Sequence, residues 1–447
     1  MTPAAPHPPM LPSSYAWLDD ILCCEGHSLE DLAQQFGTPL YVYSATAIAE
    51  AYQSFAKACT ALEADVSILF AVKANPNLSL LSELGKLGAG FDIVSMGEMQ
   101  RVLAAGGSAA KMVFSGVGKT DEELRAALQA RVGCINLESL SELRRLNQLA
   151  QGLGCKAPVS IRINPDIDAK THPYISTGLR SNKFGLSLDQ ALIGYQEAAA
   201  LPHLQVMGVD CHIGSQITEL SPFLDAADRV LEFVDRLAEK GISIHHLDLG
   251  GGLGICYRDE SPPSPAMLME ALIGKVRAWS KARGRPMPRL IFEFGRALVG
   301  AAGVLLSRVV ALKPQPNDQT GAAHFAIIDA AMNDLMRPSL YEAWHEILVV
   351  NRRDQQTEER RWDVVGPVCE SGDWLGRDRP LRLKEGGLVI LASAGAYGAS
   401  MASNYNSRPR PAEVLVQAGQ PVRLIRRRES FEDLVAAESV GLSLGPS

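Results

Sequence analysis

The sequence lacks any run of about 18 consecutive apolar residues, so no transmembrane helix is expected. It also lacks an excess of basic charge: 43 lysines and arginines against 50 aspartates and glutamates leave a net charge of −7. Nucleic acids and anionic membranes attract basic patches, so neither is expected as a partner. The one basic run, Arg426-Arg427-Arg428, follows an apolar stretch and precedes acidic residues, and reads as a solvated face. None of the eight cysteines falls in a C-x-x-C pair or a metal-like cluster, so no metal is expected. They read as reduced thiols of a cytoplasmic protein, mostly buried as small apolar groups. Nor does the N-terminus, MTPAAPHPPMLPSS, carry the charged-then-apolar pattern of a signal peptide. Residues 1–14 are expected to be a disordered, proline-rich leader.

Two glycine-rich stretches fall short of nucleotide motifs. GVGKT (116–120) would need glycine at 113 to complete a P-loop, and Val113 stands there. GGGLG (250–254) completes no G-x-G-x-x-G. Its three glycines follow the run LDL, where they form either a plain structural turn or a bare backbone that a phosphate can approach.

What the chain does have is alternation. Strand-like runs at 67–74, 90–95, 111–116, 134–139, 159–165, 206–215, 245–251 and 290–296 are separated by stretches with apolar residues at helical spacing. Eight such units predict a parallel (β/α)8 TIM-type barrel over residues 45–300. After 300, strand-like runs follow one another with few helices, which predicts a C-terminal antiparallel all-β domain over 301–447. Residues 15–44 are expected to pack with that domain. The charged stretch 351–361, NRRDQQTEERR, reads as a surface hairpin tip.

Most of the barrel runs end in polar residues: Lys73, Asp92 with Ser95, Asn136 with Glu138, Arg162, His212, and Glu293 with Arg296. In a β/α barrel such ends converge on one pocket. Lys73, within FAVKANPN, has two readings. It snorkels its ammonium to the surface, or desolvation lowers its pKa for Schiff-base chemistry with a carbonyl.

Read together, FAVKANPN, DIVSMGE, HPYISTGLRSNKFG, HIGSQ, DLGGGLG, EFGR, MNDLMRPSLY, GPVCESGD and AGAYGASMASNYNSRPRPAEVLV resemble the diaminopimelate decarboxylase family, from about residue 15 to 445 and in order. The resemblance implies an alanine-racemase-like fold, pyridoxal 5'-phosphate as cofactor, and a homodimer with shared active sites. It implies that meso-diaminopimelate is decarboxylated to L-lysine and CO2, the last step of lysine biosynthesis. Lys73 would hold the cofactor as a Schiff base, and His212 would stack on its ring. Ser215, Gly251, the backbone of Glu293, Phe294, Gly295 and Arg296, and Tyr397 would serve the phosphate. Glu293 would also pair with the pyridine nitrogen and keep it protonated, which makes the ring an electron sink. Arg296, Arg337, Tyr341 and Tyr397 would hold substrate, the arginines clamping its distal carboxylate. Cys369 would protonate the α-carbon from a turn that enters the neighbouring subunit, and Glu370 would receive the distal ammonium.

Two positions depart from the family pattern: Phe294 stands where it has proline, and Ala331 where it has glycine. Phe294 is expected to place a large ring near the cofactor. An ornithine, lysine or arginine decarboxylase of the same fold would typically carry aspartate in place of Glu370. An alanine racemase would lack the cysteine turn. A non-catalytic regulator would not be expected to keep Lys73, His212, Glu293 and Cys369. A fused aspartokinase domain is not expected.

Overall fold

The structure is a computed structural model that describes residues 11–168, 177–178, 182–315, 324–353 and 358–438. The expected leader therefore lies, over residues 1–10, outside the described residues, as do 172–176 and 179–181 of the motif HPYISTGLRSNKFG and 354–357 of the charged stretch. Residues 11–14 form a turn, and Leu11 packs on a buried apolar cluster. Two compact units divide between Ala47 and Ile48 and again between Gly300 and Ala301. Among the described residues no helix is long and apolar enough to cross a membrane.

The N-terminal strands β1 (Tyr15–Leu18), β2 (Ile21–Cys24) and β3 (His27–Ser28) form a small antiparallel sheet. Strand β4 (Leu40–Ser44) follows a helix, Leu29–Phe36, whose first turn is capped by Ser28. Glu25 fastens this segment: one carboxylate oxygen accepts from Ser44 Oγ at 2.6 Å and Thr46 N at 2.8 Å, the other from Ala418 N at 2.6 Å.

In the second unit, β5 (Val66–Ala71), β6 (Gly90–Ile93), β7 (Met112–Phe114), β8 (Cys134–Leu137), β9 (Ala157–Arg162), β10 (Leu204–Asp210), β11 (His246–Asp248) and β12 (Arg289–Phe294) close into the expected parallel barrel. The barrel closes where β12 pairs with β5, Glu293 opposite Leu69. Each strand ends two to five residues earlier than the apolar run in the sequence, and after β6 and β8 the chain turns there into a helix cap. After β6, Ser95 Oγ accepts from Glu98 N, while Glu98 Oε2 accepts from Val94 N at 2.7 Å. After β8, Ser139 and Glu142 repeat the arrangement. These Ser-x-x-Glu boxes satisfy the orphan amides that open each helix.

GVGKT also finds its role here. Lys119 is buried, bonded to Glu142 Oε1 at 2.9 Å and to the carbonyls of Gly116 and Asn136. A buried cation with three acceptors ties two barrel loops together, and no phosphate is needed to explain it.

In the first unit, β13 (Gly303–Lys313), β14 (His324–Ile328), β15 (Ile347–Val349), β16 (Arg360–Val365), β17 (Trp374–Leu381), β18 (Leu388–Leu391), β19 (Ala412–Val416) and β20 (Arg423–Arg426) join β4 in one nine-stranded sheet. Most neighbours run antiparallel, but β4 pairs parallel with β19 and β14 with β16, so the sheet is mixed rather than wholly antiparallel. Chain ends brought in from residue 40 and residue 412 have no reason to alternate direction. β4 lies between β13 and β19, and its Leu40 and Val42 are buried with Val304, Leu306, Ile390, Val414 and Val416 against Leu29 and Leu32. Each such side chain contributes about 1.5–3 kcal/mol relative to exposure.

Candidate active site

Lys73 lies in a one-turn 3-10 helix, Val72–Ala74, immediately beyond β5 rather than inside the strand. Its Nζ donates to Asp92 Oδ2 at 2.8 Å, and the Asp92 side chain is fully buried while Lys73 is 38% exposed. The two residues sit at the C-terminal ends of adjacent strands, which is why a turn after β5 can meet a side chain of β6.

His212 follows β10. Gly251 N donates to its Nδ1 at 3.1 Å, which leaves the ring proton on Nε2. Burial first, then the nearby Arg162 and Lys73, hold its pKa well below the usual imidazole value, so the ring is neutral. Gly251 can approach so closely because it has no side chain: a Cβ there would stand 1.8 Å from the Glu293 carbonyl oxygen. Gly250, with φ of +65°, makes the turn that brings it there. The Gly251 amide expected to serve a phosphate is thus engaged by His212. Arg296, just beyond β12, donates to Tyr257 Oη at 2.6 Å and to Ser215 Oγ at 3.1 Å. Tyr257 was not singled out from the sequence, where nothing but its place after GGGLG marks it.

The barrel interior holds more acid than expected. Asp210, Asp248 and Glu293 are buried, with one oxygen from each within 4.8 Å of the others. Burial raises all three carboxyls, Asp248 to about 7, and the charge of Asp248 raises Asp210 and Glu293 further. Asp210 and Asp248 went unnoticed in the sequence, although a carboxylate near the end of an apolar parallel strand is itself a signal. Arg162 faces Glu138 at 3.1 Å and stacks 4.8 Å over the Phe184 ring.

Phe294 does not project toward this mouth. Its ring stacks on Phe55 at 4.1 Å and on Phe292 at 5.8 Å, both in the layer outside the barrel wall. Strand alternation decides this: Glu293 points inward, so the next residue points out. The departure from proline therefore alters helix packing, and the expected ring near the cofactor is withdrawn.

The remaining candidates belong to the sheet unit. Cys369 is exposed on a turn, its amide donating to Asn406 Oδ1 at 2.8 Å. Asp373 braces that turn, accepting from Val368 N at 2.9 Å and from Met332 N at 2.7 Å. Glu370 is exposed beside Cys369, and the Tyr405 hydroxyl bonds to its carboxylate. Ala331 fits because position 366 is glycine: a Cβ on Gly366 would lie 2.5 Å from the Ala331 Cβ. Arg337 is buried, with Nε 3.3 Å from His345 Nε2 and its guanidinium 6.0 Å from the Tyr341 ring centre. Tyr397 adopts φ of +57°. A non-glycine residue pays about 1–2 kcal/mol there, strain of the kind that gathers at functional sites.

The barrel mouth fits the cofactor that the sequence resemblance implies. Glu293 Oε1 is buried without a hydrogen-bond partner, as an acceptor reserved for a ring N–H would be. Gly251 leaves bare backbone beside it, and the amine of Lys73 stands at the same mouth. A cavity of about 660 Å³ lined by Cys59, Lys111, Cys134 and His246 is a different feature, because its walls include the strand starts Val66, Gly90, Met112 and Arg289 at the opposite end.

Comparison with known proteins agrees with this geometry. Residues 46–300 match the family model described as pyridoxal-dependent decarboxylase, pyridoxal binding domain. A diaminopimelate decarboxylase from Pseudomonas aeruginosa is 54% identical over 96% of this chain and 99% of its own. Another from Vibrio cholerae is 53% identical over 94% of this chain and 97% of its own. Among solved structures, diaminopimelate decarboxylase from M. jannaschii in complex with L-lysine superposes with a TM-score of 0.90 at 40% identity, covering 96% of this chain and 98% of that one. A lysine/ornithine decarboxylase from Vibrio vulnificus, at 22% identity and a TM-score of 0.73 over 87% of this chain and 97% of that one, shares the fold.

Proposed function

The chain belongs to the diaminopimelate decarboxylases, and on that premise we propose that it converts meso-2,6-diaminopimelate to L-lysine and CO2, the last step of lysine biosynthesis. It is a pyridoxal 5'-phosphate-dependent carboxy-lyase. The observation that carries this reading is the barrel mouth itself, where Lys73 is paired with a buried Asp92 and Glu293 keeps a buried oxygen without a partner.

When bound, pyridoxal phosphate supplies a ring that takes up the electron pair left as CO2 departs. Lys73 would offer the amine that holds the cofactor, with Asp92 fixing its position. Glu293 keeps a proton at the ring nitrogen. His212, neutral and fixed by the Gly251 amide, presents a flat uncharged face. Ser215, with Arg296 bonded to it, and the backbone from Glu293 through Arg296 serve the phosphate, together with Tyr397. Arg337, Tyr341 and Arg296 receive the distal carboxylate, since a guanidinium fork gives it two parallel charge-assisted bonds. Glu370 receives the distal ammonium. Cys369 returns a proton to the α-carbon, replacing the broken bond to carbon dioxide.

Incubating the purified protein with pyridoxal phosphate and meso-diaminopimelate should release lysine and CO2 in equal amounts. Turnover of ornithine instead, with diaminopimelate untouched, would replace this reading.

We place the reaction in the cytoplasm, where the eight free cysteines stay reduced. The active form is a homodimer in which Cys369 and Glu370 enter the barrel of the partner chain. What supports this is the exposure of both on a braced turn of the sheet unit. Lys73→Ala and Cys369→Ala homodimers should each be nearly inactive. In a random mixture half the dimers are mixed, and one site of each mixed dimer collects both defects while the other has none. Statistical pairing then restores roughly a quarter of wild-type activity. No recovery despite demonstrated subunit exchange would rule out the shared site.

A further inference from the structure

We propose that Asp248, with Asp210 beside it, is a positioning residue that controls where the proton of Glu293 lies. The inference rests on the reading above, in which Glu293 meets the ring nitrogen of pyridoxal phosphate.

The placement follows from register. Asp210 on β10 stands opposite Asp248 on β11, and Asp248 stands opposite Ile291 on β12, two residues before Glu293 on the same inward face. Three carboxyls are thereby stacked side by side inside the barrel, an oxygen of each within 4.8 Å of the others. One oxygen of Asp248 is pinned by Gly250 N at 3.0 Å. Its other oxygen, Asp210 Oδ1 and Glu293 Oε1 are buried without hydrogen-bond partners.

The surrounding charges do not neutralise this group. Lys73, after β5, is held by Asp92 of β6. Arg162, at the end of β9, is bonded to Glu138, and its Nε lies 4.0 Å from Asp210 Oδ2. Cys211 and His212, next along the chain from Asp210, are uncharged, since burial raises the thiol and lowers the imidazole. Two cations thus face five carboxyls: Asp92, Glu138, Asp210, Asp248 and Glu293. Carboxylates in dry contact cannot all ionise, so protons are shared among the three that stack.

Asp248 is the member that can act on Glu293. It is fixed by the Gly250 amide, and one of its oxygens lies within 4.8 Å of an oxygen of Glu293. Without cofactor, burial and the neighbouring carboxylates keep a proton on Glu293. When the ring nitrogen arrives, the Glu293 O–H bond breaks, an N–H bond forms, and the carboxylate left behind faces the new cation. A negative charge on Asp248, behind Glu293, repels the carboxylate left there and so holds the proton back on Glu293. Asp248 touches neither substrate nor cofactor in this scheme and acts through Glu293.

The test uses the full chain freed of cofactor and titrated with pyridoxal 5'-phosphate and, separately, with its 1-deaza analogue, in which a C–H replaces the ring nitrogen. D248N keeps the shape and the acceptor for Gly250 but cannot hold negative charge. Wild type should prefer the natural cofactor, and D248N should widen that preference by about tenfold, the lower end of what a contacting charge does to a pKa. D210N should shift it in the same direction by less, and it decides the matter should D248N fail to fold. An equal effect on both ligands, a narrowed preference in D248N, or a wild type without preference would each overturn the inference. A wild type that binds no pyridoxal phosphate would overturn the function itself, which is a separate result.

Discussion

Lys73→Ala is expected to lower turnover by about 10⁴-fold or more, the scale on which loss of an essential nucleophile acts. The residue is the amine at the mouth where Asp92, His212 and Glu293 gather, and in the proposed reaction it bonds to the cofactor's aldehyde carbon. Removing it also leaves the buried Asp92 carboxylate without its 2.8 Å partner. Some stability is lost as a result, but Lys73 is 38% exposed and water screens the pair. Lys73→Arg separates the two effects. A guanidinium still pairs with Asp92 yet stays protonated and forms no such bond. It should melt close to wild type and be as inactive as the alanine variant. Borohydride reduction followed by peptide mapping should place the cofactor on Lys73. Attachment at Lys183 or another lysine would sink the assignment.

Substrate discrimination should be nearly as large. A site built to pair a charged group rejects an analogue lacking it by roughly 10⁴–10⁵-fold, because its desolvated polar groups are stranded. L-Lysine and L-ornithine have the distal ammonium but no second carboxylate. Arg337 is only 5% exposed, so water does not replace that carboxylate. The ratio of kcat/KM for meso-diaminopimelate to that for ornithine measures the effect. A ratio within tenfold of unity would mean that the clamp has been misassigned. Arg337→Met should then collapse the ratio mainly by slowing diaminopimelate, since lysine and ornithine never used the guanidinium.

Periodicity and strand-end chemistry made much of this protein legible in its sequence. The eight barrel strands follow from apolar runs alternating with helical spacing, because a strand buried on both faces has no choice but to be apolar. Lys73, His212, Glu293 and Arg296 stood out as polar residues where those runs end, and the local capping boxes at 95–98 and 139–142 are sequence-local by nature.

Other features depended on partners far along the chain. Strand β17, with its run Gly376-Arg377-Asp378-Arg379-Pro380, has no apolar alternation and is a strand only because β16 offers it a ladder. The direction of β4 between β13 and β19 depends on pairings some 260 and 370 residues away, and it makes the sheet mixed. The side chain of Phe294 was misjudged because its motif neighbours face the mouth. Only the pleat of β12 shows that it faces the helices. The acid stack of Asp210, Asp248 and Glu293 is the clearest case. Asp210 and Asp248 are unremarked in their own strands, and barrel register alone brings them within reach of Glu293. Sequence by itself determined the elements and the chemical groups they carry, because those follow from neighbours a few residues away. Tertiary structure alone decided which groups share a proton, since that depends on distance and dryness, and neither is written along a single strand.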